Sequence, residues 1–295
     1  MKILCIGDIM LDVVAILESE INYASDTRAK ISTHGGGAAA NVASWLATSG
    51  TDVHLIVRVG DDAAGRTVIA ELDRYGVQHS NTVVPDANTG VVIVLVDKSG
   101  ERTMFPDSGA NSGLGPNDLP DLSDISAIYL SGYPLLNPLS RPGVLQIMEI
   151  AKARNLPIVF DPASVGVLSE VGVQVVRGWL SSMDLIVLNE EEAHFLTGFS
   201  NPVHAVADLL TIAPTIVIKR GANGALAQER GGAIIQLPAA PTNFVDSTGA
   251  GDSFVAGLIP TWVAGGSIAL ALEIAVEMAA RCVSHIGARP LVGAP

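Results

Sequence analysis

Cysteine is scarce. Cys5 and Cys282 are the only two in 295 residues, and they lie in apolar segments at opposite ends of the chain. A disulfide framework and any zinc-type cysteine spacing are excluded, and buried thiols in a reducing compartment are expected. Cations are scarce too: 17 Lys and Arg stand against 30 Asp and Glu, a net charge of −13. That balance argues against nucleic acid and an anionic membrane surface as partners, since both demand clustered positive charge. No Gly-Lys pair occurs, which removes a Walker A phosphate loop. Neither a signal-peptide apolar region nor a cleavage site follows Met1-Lys2, because the short apolar run meets Gly7-Asp8, so a cytoplasmic location is expected. One stretch, Phe254 to Leu272, lacks charge over about the length of a membrane span. It contains Pro260, Thr261, Gly265, Gly266 and Ser267, which reads instead as two buried helices joined at Gly265-Gly266. His34, His54, His79, His194, His204 and His285 show no metal spacing and receive no role.

What is present is apolar. Hydrophobic residues make up 48% of the chain and charged ones 16%, enough for a large core and too apolar for disorder. Short β-rich runs, such as Ile3 to Ile6, His54 to Val59, Ile158 to Phe160, Leu185 to Leu188 and Ile216 to Ile218, alternate with segments of helical spacing. Val68, Ile69, Leu72 and Tyr75 before Gly76 are one such segment. Apolar strands separated by helices predict an α/β fold: a mostly parallel sheet with helices on both faces. Residues 12–33 and 83–106 break the rhythm. The second contains a strand, a polar turn at Asp97-Lys98-Ser99-Gly100 and a strand from Arg102 to Phe105, a hairpin signal. Together they predict a small discontinuous β lid over one end of a single domain spanning 1–295. The open edge of such a lid suits pairing with a second subunit, so a homodimer through the lid is an expectation.

The strongest local signal is Asp246-Ser247-Thr248-Gly249-Ala250-Gly251-Asp252. Small residues at 249–251 let a ligand approach the backbone, and a helix beginning there presents unpaired N–H groups to an anion. Asp252 in the first turn then has two readings, a base beside the anion hole or a carboxylate complementing the helix dipole. Asn189 three residues before Glu192 is likewise a helix capping box on local grounds.

These motifs resemble the ribokinase-like (PfkB) family of carbohydrate kinases, whose C-terminal signature is D-T-x-G-A-G-D-x-F, with Ser247 here at the second position. The resemblance runs from about residue 3 to about residue 290. It also rests on Gly7-Asp8, Asp12, Gly36-Gly37 before Asn41, Val59-Gly60-Asp61-Asp62 leading to Gly65, and the N-x-x-E element of Asn189 and Glu192. It implies an ATP-dependent kinase that moves the γ-phosphoryl group to a hydroxyl of a small sugar, as ribokinases and fructokinases do, or of a nucleoside or pseudouridine. Asp252 is then the general base, and the N–H groups of Gly249, Ala250 and Gly251 hold the developing charge. Asp12, Gly36, Gly37 and Asn41 receive the acceptor. Ala38 stands where ribokinase itself has Lys, so ribose is not specified. Lys219, Gly221 and Gly224 lie on the nucleotide side, and Asn189 and Glu192 organise Mg²⁺ through water. Asp246 and Thr248, with carbonyls around Val283 to Ala288, imply a monovalent cation, K⁺. Arg102 at the start of the lid's second strand is a solvated hairpin charge or a ligand for a phosphorylated or acidic sugar.

Two other functions stay open on the residues alone. Gly35-Gly36-Gly37-Ala38-Ala39-Ala40 fits the dinucleotide pattern G-x-G-x-x-A, with Asp61 and Asp62 beyond it, which suits an oxidoreductase. A sugar sensor that kept the fold without turnover is the other.

Overall fold

The computed structural model describes residues 1–99 and 101–291. Gly100 of the hairpin turn and residues 292–295 lie outside the described residues. The strands are β1 (Lys2–Ile6), β2 (Met10–Leu17), β3 (Ala29–Gly36), β4 (Asp52–Gly60), β5 (Gln78–Val84), β6 (Val91–Val96), β7 (Arg102–Asp107), β8 (Ile125–Ser131), β9 (Ile158–Asp161), β10 (Leu185–Asn189), β11 (Thr215–Lys219), β12 (Ala225–Glu229) and β13 (Ile235–Leu237). The helices are α1 (Ala38–Thr48), α2 (Ala63–Tyr75), α3 (Tyr133–Leu136), α4 (Arg141–Ala153), α5 (Val165–Val171), α6 (Val173–Leu180), α7 (Glu190–Thr197), α8 (Pro202–Leu209), α9 (Ala250–Val263) and α10 (Ile268–Cys282).

Nine strands form one sheet in the order β13-β12-β11-β10-β9-β8-β1-β4-β5, parallel from β11 through β5 and antiparallel at the β12 and β13 edge. Alternate residues of each strand serve opposite layers, as the uninterrupted apolar runs require. In β1, Ile3 and Cys5 join the core under α1, α2, α9 and α10, while Leu4 and Ile6 join the core under α4 to α8. Both cysteines are buried free thiols. Helix α2 ends where its sequence reading has it, at Gly76 with φ +73°, and the structure adds its start, where Asp62 accepts from the Gly65 N–H at 2.7 Å. The uncharged stretch becomes α9 and α10, which turn at Gly265 and pack so closely that a Cβ on Gly257 would stand 2.9 Å from Ala275 Cα. Among the described residues, no helix is long and apolar enough to cross a membrane.

The second sheet, β3-β2-β6-β7, sits at the end of the larger one and contains both insertions. Its boundaries differ from the sequence reading at one place. Gln78–Val84 pairs in parallel with β4 and so extends the large sheet, and the hairpin begins only at Val91. Thr89 makes the crossing, anchored by its N–H to Asp62 at 2.7 Å and by its hydroxyl to the Gly60 N–H at 3.0 Å. The strand register places Asp12 and Arg102 on one face of the small sheet, and Val13, Ile31, Ile93 and Phe105 on the other.

Candidate active site

Parallel strands end along one edge, and in such sheets the ends of the strands carry the ligand site. Asp8 follows β1, and Ser131, Asp161, Asn189 and Lys219 are the last residues of β8, β9, β10 and β11. Helix α9 begins against that edge. Its N-cap, Gly249, has φ +75°, and a Cβ there would stand 2.5 Å from Ala288 Cα, so glycine is required twice over. The N–H groups of the first turn have no partners within the helix. Of the three donors expected, that of Ala250 also closes a turn onto the Ser247 carbonyl at 3.2 Å.

Asp252 lies in that first turn, partly accessible, and its Oδ2 accepts from Asn41 Nδ2 at 2.8 Å. Asn41 lies within α1, whose N-cap is Gly37. Burial pushes Asp252 up to about 7; the Asn41 hydrogen bond opposes the rise and the charge of Asp161 adds to it. On the acceptor side, a Cβ on Gly36 would meet the Asp12 carboxylate at 2.3 Å, and one on Gly37 would meet the Asp8 carbonyl at 2.6 Å. The two glycines thus let β2, β3 and the loop after β1 converge. Burial also raises Asp12, to about 6, although Arg289 opposes it.

Arg289 was not among the expected site residues. Its guanidinium is buried behind Gly36, donating to the Gly36 carbonyl at 3.0 Å and to Asn41 Oδ1 at 3.2 Å, and pairing with Glu71 at 3.3 Å. It fixes which end of the Asn41 amide faces Asp252. Asp161 was missed as well. It accepts from Lys219 Nζ at 2.6 Å, and the same ammonium lies 3.2 Å from where a Cβ on Gly251 would be. Lys219 is thus a cation sheltered beside the first turn of α9; burial opposes its charge, but Asp161 and Glu192 together raise its pKa. The last residue of an apolar strand was the signal available for Asp161. Nothing local marked Arg289.

Asn189 and Glu192 form the capping box in full. Glu192 accepts from the Asn189 N–H at 2.8 Å and its amide at 2.7 Å, and Asn189 accepts from the Glu192 N–H at 2.8 Å. Glu192 is 1% exposed, and burial lifts it to about 7 despite Lys219. Gly224, with φ +83°, is forced by the turn from β11 to β12, where a Cβ would stand 2.0 Å from the Leu237 carbonyl; Gly221 faces open space beside Lys219. Among the described residues, no group of three His, Cys, Asp or Glu converges on a metal position.

Asp246 and Thr248, where a monovalent cation is expected, meet a side chain from the lid. Arg102 reaches from the lid to that turn, donating to Thr248 Oγ1 at 2.5 Å and to Asp246 Oδ1. The side-chain oxygens expected to face K⁺ thus accept from a guanidinium in this structure. Arg102 is accordingly not a free hairpin charge. The dinucleotide reading fails on placement: the glycine run joins β3 to α1 rather than following β1, and Asp62 is occupied as the cap of α2.

The sequence profile described as pfkB family carbohydrate kinase matches residues 1–293. The chain is 32% identical over 276 residues to a fructokinase of Klebsiella pneumoniae, covering 90% of this chain and 85% of the relative. It is 30% identical over 257 residues to an ATP-dependent ribose-1-phosphate kinase of Halopiger xanaduensis, covering 86% and 82%. In fold it is similar to the crystal structure of adenosine kinase from Sinorhizobium meliloti, with a TM-score of 0.89 at 21% identity, over 99% of this chain and 96% of that one.

Proposed function

The chain belongs to the pfkB family of carbohydrate kinases and is an ATP-dependent sugar kinase, and we propose that its acceptor is a neutral sugar whose hydroxyl is deprotonated by Asp252. The observation that carries this reading is the Asn41 to Asp252 hydrogen bond of 2.8 Å, which ties the acceptor side to the first turn of α9. A carboxylate held near 7 is matched to taking a proton at neutral pH. The hydroxyl oxygen then attacks the γ-phosphorus as the bond to the β-phosphate oxygen breaks. First-turn N–H groups of α9 and the Lys219 ammonium stabilise the charge on the transferring group. Asp8, Asp12 and Asp252 make the acceptor side acidic, and two arginines that could oppose them already have protein partners, Arg102 in Asp246 and Arg289 in Asn41, Gly36 and Glu71. That balance favours a polyol over a phosphorylated acceptor. A nucleoside satisfies the same contacts through its ribose and is the second reading.

Asn189, Glu192 and Asp161 supply oxygen donors on the nucleotide side, suited to a hydrated Mg²⁺ held chiefly by phosphates and water, whose charge would offset that of ATP. The β3-β2-β6-β7 sheet is read as the lid, and its outward face, with Ile31, Ile93 and Phe105 exposed, as the surface for a homodimer. The deciding experiment measures ADP release with Mg·ATP across free sugars, sugar phosphates and nucleosides. Turnover is expected with a neutral sugar. Preference for a sugar phosphate would overturn the neutral-acceptor reading, and no ADP release with any acceptor would overturn the assigned chemistry.

A further inference from the structure

Asp246 is a junction of three segments. Its Oδ1 accepts from the Thr248 N–H at 2.8 Å, from the Thr248 hydroxyl at 2.7 Å and from Arg102 of the lid; its Oδ2 accepts from the Gly287 N–H at 3.0 Å. Thr248 spends its hydroxyl proton on Asp246 and accepts from Arg102 with the same oxygen. The next residue is Gly249, the N-cap of α9. A single guanidinium on β7, at the hairpin end opposite Val96, therefore reaches the turn that sets the direction of the first-turn N–H groups. The carboxylate is sheltered, 9% exposed, whereas the Arg102 side chain is 28% exposed and comes from a sheet that packs at the rim of the domain. Opening that sheet would withdraw the arginine and leave Asp246 with its backbone and Thr248 partners.

We propose that Arg102 is a positioning residue that acts as the built-in cation of the Asp246 and Thr248 turn, so that the anion hole is fully ordered only when the lid is down and turnover needs no monovalent metal ion. The inference rests on the reading of Gly249 to Gly251 as the phosphoryl cradle. A guanidinium suits the post because it is weakly hydrated, always charged, and offers two directed donors to neighbouring oxygens. Being tethered, it competes with free ions at a high effective concentration. The same contact makes the lid a switch: with acceptor absent and the sheet raised, the turn loses its cation and ATP meets an imperfect cradle.

The test compares the parent, Arg102→Ala and Arg102→Lys in KCl, NaCl and tetramethylammonium chloride at equal ionic strength, with and without guanidinium. The parent kcat is expected to be the same in all three salts. In Arg102→Ala, kcat should fall by roughly tenfold to a hundredfold, the scale of losing a charge-assisted hydrogen-bond pair. Guanidinium or K⁺ should restore part of that loss, with acceptor KM little changed. Arg102→Lys should fall between the two, since an ammonium cannot fork across both oxygens. Hydrogen exchange at residues 246–252 supplies a readout that needs no turnover: protection should drop in Arg102→Ala and return with guanidinium. Several-fold activation of the parent by K⁺ would overturn the proposal. So would an Ala variant equal to the parent in tetramethylammonium with unchanged exchange. A parent that releases no ADP with any acceptor would instead sink the cradle reading, while the exchange experiment still decides the place of Arg102.

Discussion

Asp252 shows how one side chain acquires a function from its surroundings. A first-turn aspartate on an exposed helix would complement the dipole and titrate as an ordinary acid. Here burial holds the carboxyl up to about 7, and Asn41 fixes one of its oxygens. The neutral form is thereby favoured in the folded protein below that value. As pH rises through about 7 the group ionises and gains its capacity as a base; because the unfolded carboxyl already ionises near the ordinary 3.8, the stability linked to this raised value is fully present below 3.8 and is lost progressively up to about 7. We expect kcat to rise with pH along a limb centred near 7. Asp252→Asn should lower kcat by roughly 10²–10⁴-fold with little change in nucleotide affinity. It should also remove the limb. If the limb survives in that variant, the proton acceptor lies elsewhere, Glu192 being the other site carboxylate held at about 7.

At the scale of elements, the start of α9 carries most of the constraint. Gly249 adopts φ +75° and leaves no room for a methyl group against Ala288, whose own carbonyl accepts from Trp45 Nε1 at 2.9 Å. The turn, the loop after α10 and helix α1 are thus packed as a unit. Gly249→Ala should cost about 1–3 kcal/mol from the backbone strain alone. It should also reduce kcat, because the first-turn N–H groups would tilt away from the transferring phosphoryl group. Gly221, at φ +53° in open space, supplies the comparison. Its Ala variant meets the left-handed backbone strain, about 1–2 kcal/mol, without the steric clash that adds to it at Gly249. Thermal unfolding and steady-state kinetics of the two variants check this, and equal effects at both positions would contradict the packing argument.

For the whole molecule, the distinctive relation is between the two sheets. The small one holds Asp12 on the face that carries Arg102, so the proposed acceptor binding and the proposed seating of a lid would draw on one surface. Substrate should therefore bring residues 10–36 and 91–107 down together, excluding water from ATP and strengthening the site's electrostatics. Hydrogen exchange with acceptor and a nonhydrolysable nucleotide should show increased protection in both segments. Unchanged exchange in both would remove the lid assignment. The exposed apolar row of Ile31, Ile93 and Phe105 predicts a concentration-dependent dimer by sedimentation, and Ile93→Asp should shift it toward monomer.

The sequence by itself determined what is written over a few neighbouring residues. Apolar runs and helical spacing set the α/β alternation; Gly76 bounded α2 at its end; Asn189 and Glu192 closed their own cap; three small residues opened the turn at 249–251. These follow from backbone sterics, caps and burial periodicity, all of them short-range. Tertiary structure alone decided which distant side chains meet. Arg102 finds Asp246 across 144 residues, and Arg289 finds Asn41 across 248. Gln78–Val84 joins the large sheet because β4 offers it an open parallel edge, although its sequence adjoins the hairpin. An arginine's partner is set by where two sheets and a helix end converge, and its local sequence is the same whether it ends in solvent or against a carboxylate. The glycine signature was legible as the start of α9, but the arginine that reaches Asp246 and the amide that holds Asp252 were fixed only when the chain had folded around them.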